Sequence, residues 1–469
     1  MTQVWSVIAG ALAISLIASC VYRAVARART PQGAVGWVVF LIAAPWIAVP
    51  VFLLLGRNRF RDFAIERQRS QDLRRTVATE AIGLHSDAQA HPRLRAFERL
   101  TGLPAVAGNS ANLLLDGKRT FESIFAAIDS ARSYVCVQFY TIADDGLGKA
   151  LAAHLIAAAG RGVKVRVLYD GIGGYKLSGQ YIQMLREAGI QVYGPRMSRG
   201  PAWRLQINFR NHRKTVIVDG QRAFIGGHNV ADEYVDGGSN FSRWRDTHVD
   251  LRGPVVTQLQ LSFVEDWHWA TDEDLAEVLT WETMRDAADV TALVVPMGPG
   301  DELDTGALFF ALACASATKR IWIASPYFVP DTDVSSALAC AALRGVDVRV
   351  IVPENSDHFL MWLAAFAYFD PIRKAGVRIF RYAEGFMHQK VVLIDDDVAC
   401  VGTANMDNRS FRLNFETMAV VQDMDFAAQV ETMLKADLEN SVALERDLKG
   451  QRPLVRYGAP FARLFAPIL

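Results

Sequence analysis

Charge-free runs set the first 56 residues apart from the rest of the chain. Val4 to Val21 contains no charged residue, and after Arg23, Arg27 and Arg29 a second uncharged run extends from Gly33 to Gly56. Each meets the roughly 18 to 20 residues that a helix needs to cross a hydrocarbon core. Residues 1–56 are therefore expected to form a membrane anchor of two transmembrane helices. Pro45 and Pro50 predict that the second is kinked or partly re-entrant, and Trp5 and Trp37 lie near segment ends, as interfacial anchors do. A cleaved signal peptide is the alternative for the first run, but no basic segment precedes it.

From residue 106 the pattern changes to short β-branched runs between helical stretches. "ARSYVCVQFYTI" (131–142), "RGVKVRVLYD" (161–170) and "REAGIQVY" (186–193) are followed, in the same order, by "ATKRIWIASPYFV" (317–329), "RGVDVRVIVP" (344–353) and "RKAGVRIF" (373–380). A helix bounded by Gly and Arg and followed by a β-branched run reads as a βαβ crossover in each series. The expected fold is α/β, with two duplicated lobes at 106–295 and 296–445 packed face to face. An Arg-rich connector at 57–105 precedes them and an apolar tail at 446–469 follows.

The duplication also carries the candidate chemistry. "NHRKTVIVDG" (211–220) and "MHQKVVLIDD" (387–396) place His212, Lys214 and Asp219 and then, 176 positions later, His388, Lys390 and Asp395 at the same spacing. Both copies continue to a glycine (Gly226, Gly402) and an asparagine (Asn229, Asn405), so each reads H-x-K-x4-D-x6-G-x2-N. Taken alone, one copy is the wet face and closing turn of a hairpin; taken twice, it is a site. His and Lys two residues apart project from one face of a strand. The aspartates have the opposite parity, stand where the strand must turn back, and read as turn or scaffold groups. The glycine lets a loop approach a ligand closely, and the asparagine adds a neutral donor. Two lobes then offer a pair of nucleophiles or bases, a pair of cations and a pair of donors, which suits a phosphodiester.

The paired motif resembles that of the phospholipase D superfamily. With "NFRNHRK" before the first site, "GTANMDNRSFRLNFE" after the second and the N-terminal apolar runs, the chain is similar to the bacterial cardiolipin synthases. The resemblance implies two phospholipase D-like α/β/α lobes around a shared active site. It implies that His212, Lys214, Asp219, His388, Lys390 and Asp395 form the catalytic set, with His212 as nucleophile and His388 as acid and base. The implied reaction moves a phosphatidyl group from one phosphatidylglycerol to another through a phosphohistidine, with no metal and no cofactor. In the family a glutamate further on orients the histidine ring. Glu416 matches it, and aligning "WRDT" with "NFET" puts Asp246 in its place in the first lobe; with Asn229 and Asn405 they make the expected substrate-binding set. Where a small hydroxyl residue often precedes the asparagine, the first lobe has Gly227 and the second Thr403, so a hydroxyl contact to phosphate is in doubt in lobe one. His228 is a third candidate acid or base, against which stands the commoner exposed loop histidine.

Composition narrows the alternatives. With 50 basic and 50 acidic residues and 51% hydrophobic content, the balance shows no nucleic-acid footprint. It counts against a nuclease, although a membrane-anchored hydrolase or nuclease using the same site remains the rival. The expected partners are phosphatidylglycerol and cardiolipin in the membrane; a homo-oligomer stays open. Seven arginines between Arg57 and Arg75 outnumber the three between the apolar runs. That favours a multi-pass protein of the bacterial inner membrane with a cytoplasmic catalytic domain. Cys20, Cys136, Cys314, Cys340 and Cys400 lack framework spacing and are expected to be buried thiols. The Trp- and Phe-rich stretch 358–376 is read as core rather than acyl-chain contact, and "VRYGAPFARLFAPIL" as docking either on the membrane surface or on the catalytic body. The acidic run 395–397 is a hairpin turn, not a metal site.

Overall fold

The computed structural model describes residues 2–27, 31–55, 70–73, 76–77, 92–194, 209–238 and 241–469. These fall into two compact units, the helices up to Leu55 and the body from residue 70 onward.

In the first unit Thr2–Arg27 is one helix whose apolar stretch Val4–Ala26 contains an 18-residue window of mean hydropathy 2.2. At 1.5 Å per residue its 23 residues span about 35 Å, enough for a core about 30 Å thick. The second run is not one spanning helix, and the interruption falls where its prolines predicted a kink. It breaks at Ala44 into Pro31–Ala43 and Pro45–Leu55, because Pro45 has no N–H to give the preceding turn. Ala44 still bonds back to Phe40, and Ala48 to Ala44. At 13 and 11 residues the pieces reach about 20 and 17 Å, each too short to cross alone. Cys20, Ala24, Leu41, Ala48, Val49 and Phe52 pack together, with Trp37 edge-on to Phe52 at 5.0 Å. Leu12, Ile14, Val35, Ile42 and Trp46 face outward.

The second unit is built on one sheet that runs through both lobes. From one edge, the first lobe contributes Gln191–Tyr193, Lys164–Tyr169, Tyr134–Phe139, Thr215–Val218, Arg222–Gly226, Thr247–Arg252 and Val106–Leu115. The second lobe repeats this order in mirror sequence from Val290–Met297 outward to Arg378–Tyr382. The halves join where Val106–Leu115 and Val290–Met297 pair antiparallel, with Val106 opposite Ala292. The parallel pairs in each lobe, such as Tyr134–Phe139 with Lys164–Tyr169 and Arg320–Ala324 with Asp347–Pro353, are connected through the expected crossover helices. The lobes also meet face on, the strand Val398–Gly402 lying against Thr247–Arg252 and Arg222–Gly226. One apolar cluster crosses that contact, from Ile225, Val249 and Phe263 to Leu393, Val401 and Val430.

The two motif aspartates fasten the hairpins to the strands beside them. Both adopt left-handed φ, 51° at Asp219 and 52° at Asp395, a conformation Asp tolerates in turns. Asp219 accepts the backbone N–H groups of Arg132, Ser133 and Tyr134 at 2.8 to 2.9 Å. Asp395 accepts those of Thr318, Lys319 and Arg320 and a guanidinium bond of 2.6 Å from Arg93, so residue 93 of the connector is tied to the second lobe. Leu94 and Phe97, from the same stretch, are buried in its core. Cys136, Cys314 and Cys400 are buried as expected, but Cys340 is exposed.

Candidate active site

Each motif histidine sits just beyond a two-residue strand that pairs with the other lobe. Arg210–Asn211 pairs with Asn414–Phe415, and the His212 N–H bonds to the Phe415 carbonyl. Phe386–Met387 pairs with Trp244–Arg245, and the His388 N–H bonds to the Arg245 carbonyl. The His-x-Lys segments themselves are not strands, so the expectation of a shared strand face does not hold. Each lysine instead curls back, Lys214 Nζ donating to the His212 carbonyl at 2.9 Å and Lys390 Nζ to the His388 carbonyl.

The crossing extends to the side chains. His212 Nδ1 lies 2.9 Å from both oxygens of Glu416, which belongs to the second lobe. His388 Nδ1 lies 2.7 Å from Asp246 Oδ2, which belongs to the first. A carboxylate at Nδ1 holds the proton on that nitrogen and leaves Nε2 for chemistry. Glu416 and Asp246 are wholly buried and do not line the cavity that both rings line. They stand behind the rings at Nδ1, the place expected of an orienting acid, and outside the cavity where a substrate-binding group was also expected.

The two carboxylates are held differently, and this explains the odd residues of the motif. Glu416 also accepts Thr403 Oγ1 at 2.6 Å, Ser410 Oγ at 3.0 Å and Asn414 Nδ2 at 3.1 Å. The Thr403 hydroxyl therefore serves the carboxylate, not a phosphate. In the first lobe a Cβ on Gly227 would lie 2.0 Å from Asp246 Oδ1, so the shorter acid occupies the room that a threonine would need. Gly226 and Gly402 allow close approach to the neighbouring strand rather than to a ligand, since a Cβ on each would meet the carbonyl of Thr247 or Thr417 at 2.3 Å.

Burial and charge tune every ionisable group here. Burial lowers His212, and the Lys214 charge adds to this while Glu416 opposes it. Burial and then Lys390 push His388 down to about 3. Burial, with Lys390 adding, brings Lys214 down to about 7, and burial brings Lys390 to about 8. Burial alone would raise the two acids, but His228, His388 and Lys390 hold Asp246 well below its usual range, and His212 and Lys214 lower Glu416. Without a bound anion the site thus favours neutral rings between ionised carboxylates.

The cavity, about 190 Å³ in volume, is lined by His212, His388, Asn229 and Asn405, and by Tyr140, Tyr234, Arg210 and Arg409. The asparagines differ. Asn229 donates to Tyr234 Oη at 2.6 Å and accepts the Thr141 N–H, so its amide is engaged in holding the wall. Asn405 Oδ1 has no hydrogen-bond partner among the described residues. Asp219 and Asp395 are outside the cavity lining. His228 is fully buried, contrary to the exposed-loop reading, and its Nδ1 lies 3.0 Å from His248 Nδ1. Tyr140, edge-on to His212 at 5.0 Å, and Tyr234, edge-on to His388 at 5.8 Å, went unrecognised in the sequence, as did Arg210 and Arg409, though both arginines lie within the quoted flanking stretches. Among the described residues no cluster of acids, histidines or cysteines has the form of a metal site.

A family model described as "Cardiolipin synthase, PLD-like domain" matches residues 124–267 and 313–438. A cardiolipin synthase A of Pseudomonas putida (strain W619) is 45% identical over 457 residues, 95% of this chain and 95% of its own. Another, of Pseudomonas aeruginosa (strain LESB58), is 43% identical over 457 residues, 95% of this chain and 92% of its own. Among solved structures, a phosphatidylserine synthase of Haemophilus influenzae Rd KW20 superposes with a TM-score of 0.61 at 16% identity, over 81% of this chain and 100% of that one. At that identity the likeness concerns the fold.

Proposed function

The chain belongs to the cardiolipin synthases of the phospholipase D-like family, and from that premise we propose that its crossed histidine pair moves a phosphatidyl group between two phosphatidylglycerol molecules. Phosphatidyl transfer is the activity of this membrane enzyme; the residue roles, the donor and the acceptor are our reading. The observation that carries it is that both rings line one cavity while each is held at Nδ1 by the other lobe's carboxylate.

In the first step His212 Nε2 attacks phosphorus, the bond to the headgroup glycerol oxygen breaks, and His388 gives that oxygen its proton. In the second, His388 takes the proton from the free hydroxyl of another phosphatidylglycerol. That oxygen attacks phosphorus, the P–N bond breaks, and cardiolipin leaves. Each displacement is assisted by general acid or base. A neutral His212 suits the nucleophile. His388 must carry a proton, against which burial and then the Lys390 charge act; the phosphodiester's negative charge next to two lysines offsets the second of these. Lys214 and Lys390, fully buried, act through their field, and Arg210, Arg409 and the Asn405 amide are the groups at hand for phosphoryl oxygens. Water at about 55 M competes for the intermediate, so transfer requires an acceptor held at an effective molarity far above that, and well-oriented reactants reach about 10^5 M or more. The excess of arginines after the apolar runs supports a catalytic domain on the cytoplasmic side of the bacterial inner membrane.

Acid-labile capture of label from phosphorus-labelled phosphatidylglycerol tests the roles. Label mapping to the peptide containing His212, absent in His212→Ala, is expected. Label on the His388 peptide would reverse the assignment.

A further inference from the structure

The chemistry makes no use of residues 446–469. The helix Pro453–Ala462 lies along the helix Phe359–Lys374: a Cβ on Gly458 would sit 3.0 Å from Leu363, and the Arg463 guanidinium stands 4.9 Å from the Tyr368 ring. Val455, Ala459, Ala462 and Ala466 are buried. The tail therefore docks on the catalytic body with its small residues, one of the two placements the sequence leaves open. The other face carries Leu454, Tyr457 and Phe461, and the 3-10 turn Arg463–Ile468 continues it with Leu464 and Phe465, all 49% to 74% exposed. Five large apolar side chains in one stripe are more than a soluble surface ordinarily shows.

Charge selects the occupant. Arg446, Lys449, Arg452, Arg456 and Arg463 stand against Asp447 in this segment, while the whole chain has formal net charge 0. A second copy would bring like charges together, whereas an anionic phospholipid surface takes the apolar stripe and the cations at once. The interior leads the same way. A cavity of about 730 Å³ is lined by Arg452 and Val455 and by Trp362 and Phe366. The latter two also line an apolar crevice with Met361 and Tyr327, which in turn line the histidine cavity.

We propose that residues 446–469 seat the catalytic body on an anionic bilayer, with the Leu454, Tyr457, Phe461 and Leu464 stripe inserted at headgroup level. The proposal rests on the reading of phosphatidyl transfer given above. It identifies the face through which lipid is presented to the histidines.

The test uses the full chain carrying Leu454→Ser, Phe461→Ser and Leu464→Ser, which leaves the packed side of the helix intact. Cardiolipin formation is measured with long-chain phosphatidylglycerol in vesicles and with dihexanoyl phosphatidylglycerol as dissolved monomers. Vesicle turnover is expected to fall about tenfold or more, given three large apolar groups withdrawn from the interface, and monomer turnover to stay within about twofold of wild type. Equal loss on both substrates, or loss on neither, overturns the proposal. Hydrogen exchange of residues 453–466 in the reconstituted wild type is expected to be slower in phosphatidylglycerol than in phosphatidylcholine vesicles. Protection that follows protein concentration instead of lipid charge would assign the stripe to a second copy and overturn it. Should the wild type make no cardiolipin from either substrate, the transfer reading fails while the exchange measurement still decides the docking.

Discussion

Replacing Asp246 by asparagine asks whether each carboxylate serves the histidine of the other lobe. Asp246 Oδ2 is 2.7 Å from His388 Nδ1, with side-chain exposures of 0% and 6%. Asparagine keeps the volume and can still accept the Thr247 N–H, now 2.8 Å from Oδ1. It removes the charge that holds the proton on Nδ1, and its amide can equally donate to that nitrogen, selecting the wrong tautomer. At a contact this buried, losing one such oriented electrostatic interaction is worth about 3 to 5 kcal/mol in the transition state, or about 10^2 to 10^4 in rate. Two substrates separate the histidines. Phosphatidylglycerol needs a proton on its leaving glycerol; a phosphatidyl ester of p-nitrophenol does not, so its burst reports the nucleophile alone. Asp246→Asn should lose about 10^2 to 10^4 on the first substrate and less than about tenfold in the burst on the second. Glu416→Gln, next to the nucleophile His212, should depress both. A burst suppressed by Asp246→Asn and spared by Glu416→Gln would refute the crossed assignment with His212 as nucleophile.

Three other outcomes follow from the same geometry. Gly227→Ala should reduce transfer about as deeply as Asp246→Asn, because its Cβ would stand 2.0 Å from Asp246 Oδ1; unchanged activity in a folded protein would show that the carboxylate can move freely. Asp395→Asn should cost about 2 to 4 kcal/mol in denaturant unfolding, since three backbone N–H groups and Arg93 converge on it. The Arg320 and Lys319 N–H groups and Arg93 lower Asp395 despite burial, so its contribution should be present above pH about 4 and fade as pH falls below that in the wild type only. His388, lowered to about 3 from 6.5, binds its proton more readily when unfolded. Stability of the unliganded protein should therefore fall as pH drops from about 6.5 toward 3, and His388→Gln should flatten that limb; an unchanged slope contradicts the burial argument.

Much of this site was legible because phosphoryl transfer demands particular side chains at particular spacings, and His212, Lys214, His388 and Lys390 keep theirs twice. The scaffold role of Asp219 and Asp395 was legible from their place at the turn that closes each hairpin. What spacing could not tell was which lobe a residue serves: aligning Asp246 with Glu416 made them equivalent, but their exchange between lobes depends on pairing across the lobe contact. The same holds for Gly227 and Thr403, whose difference makes sense only beside the acid each accommodates. The lysines were misplaced because a His-x-Lys segment was read as strand when it is the loop after one. Arg213 and Gln389, each following a motif histidine, show how far polar residues can be hidden: Arg213 binds Asp266 at 2.8 Å and Gln389 binds Asp437 at 2.7 Å, both from distant helices. In the anchor, the apolar count was right for the first helix. For the second, Pro45 marked the interruption but not its extent, two pieces each too short to cross alone.

The central claim is transfer between two lipids through one paired site, and the most direct measurement supplies phosphatidylglycerol as sole lipid to the purified full-length protein. The account predicts cardiolipin and glycerol in equal amounts from the wild type and neither from His212→Ala or His388→Ala. Phosphatidic acid in place of cardiolipin, or cardiolipin persisting in either variant, would contradict it.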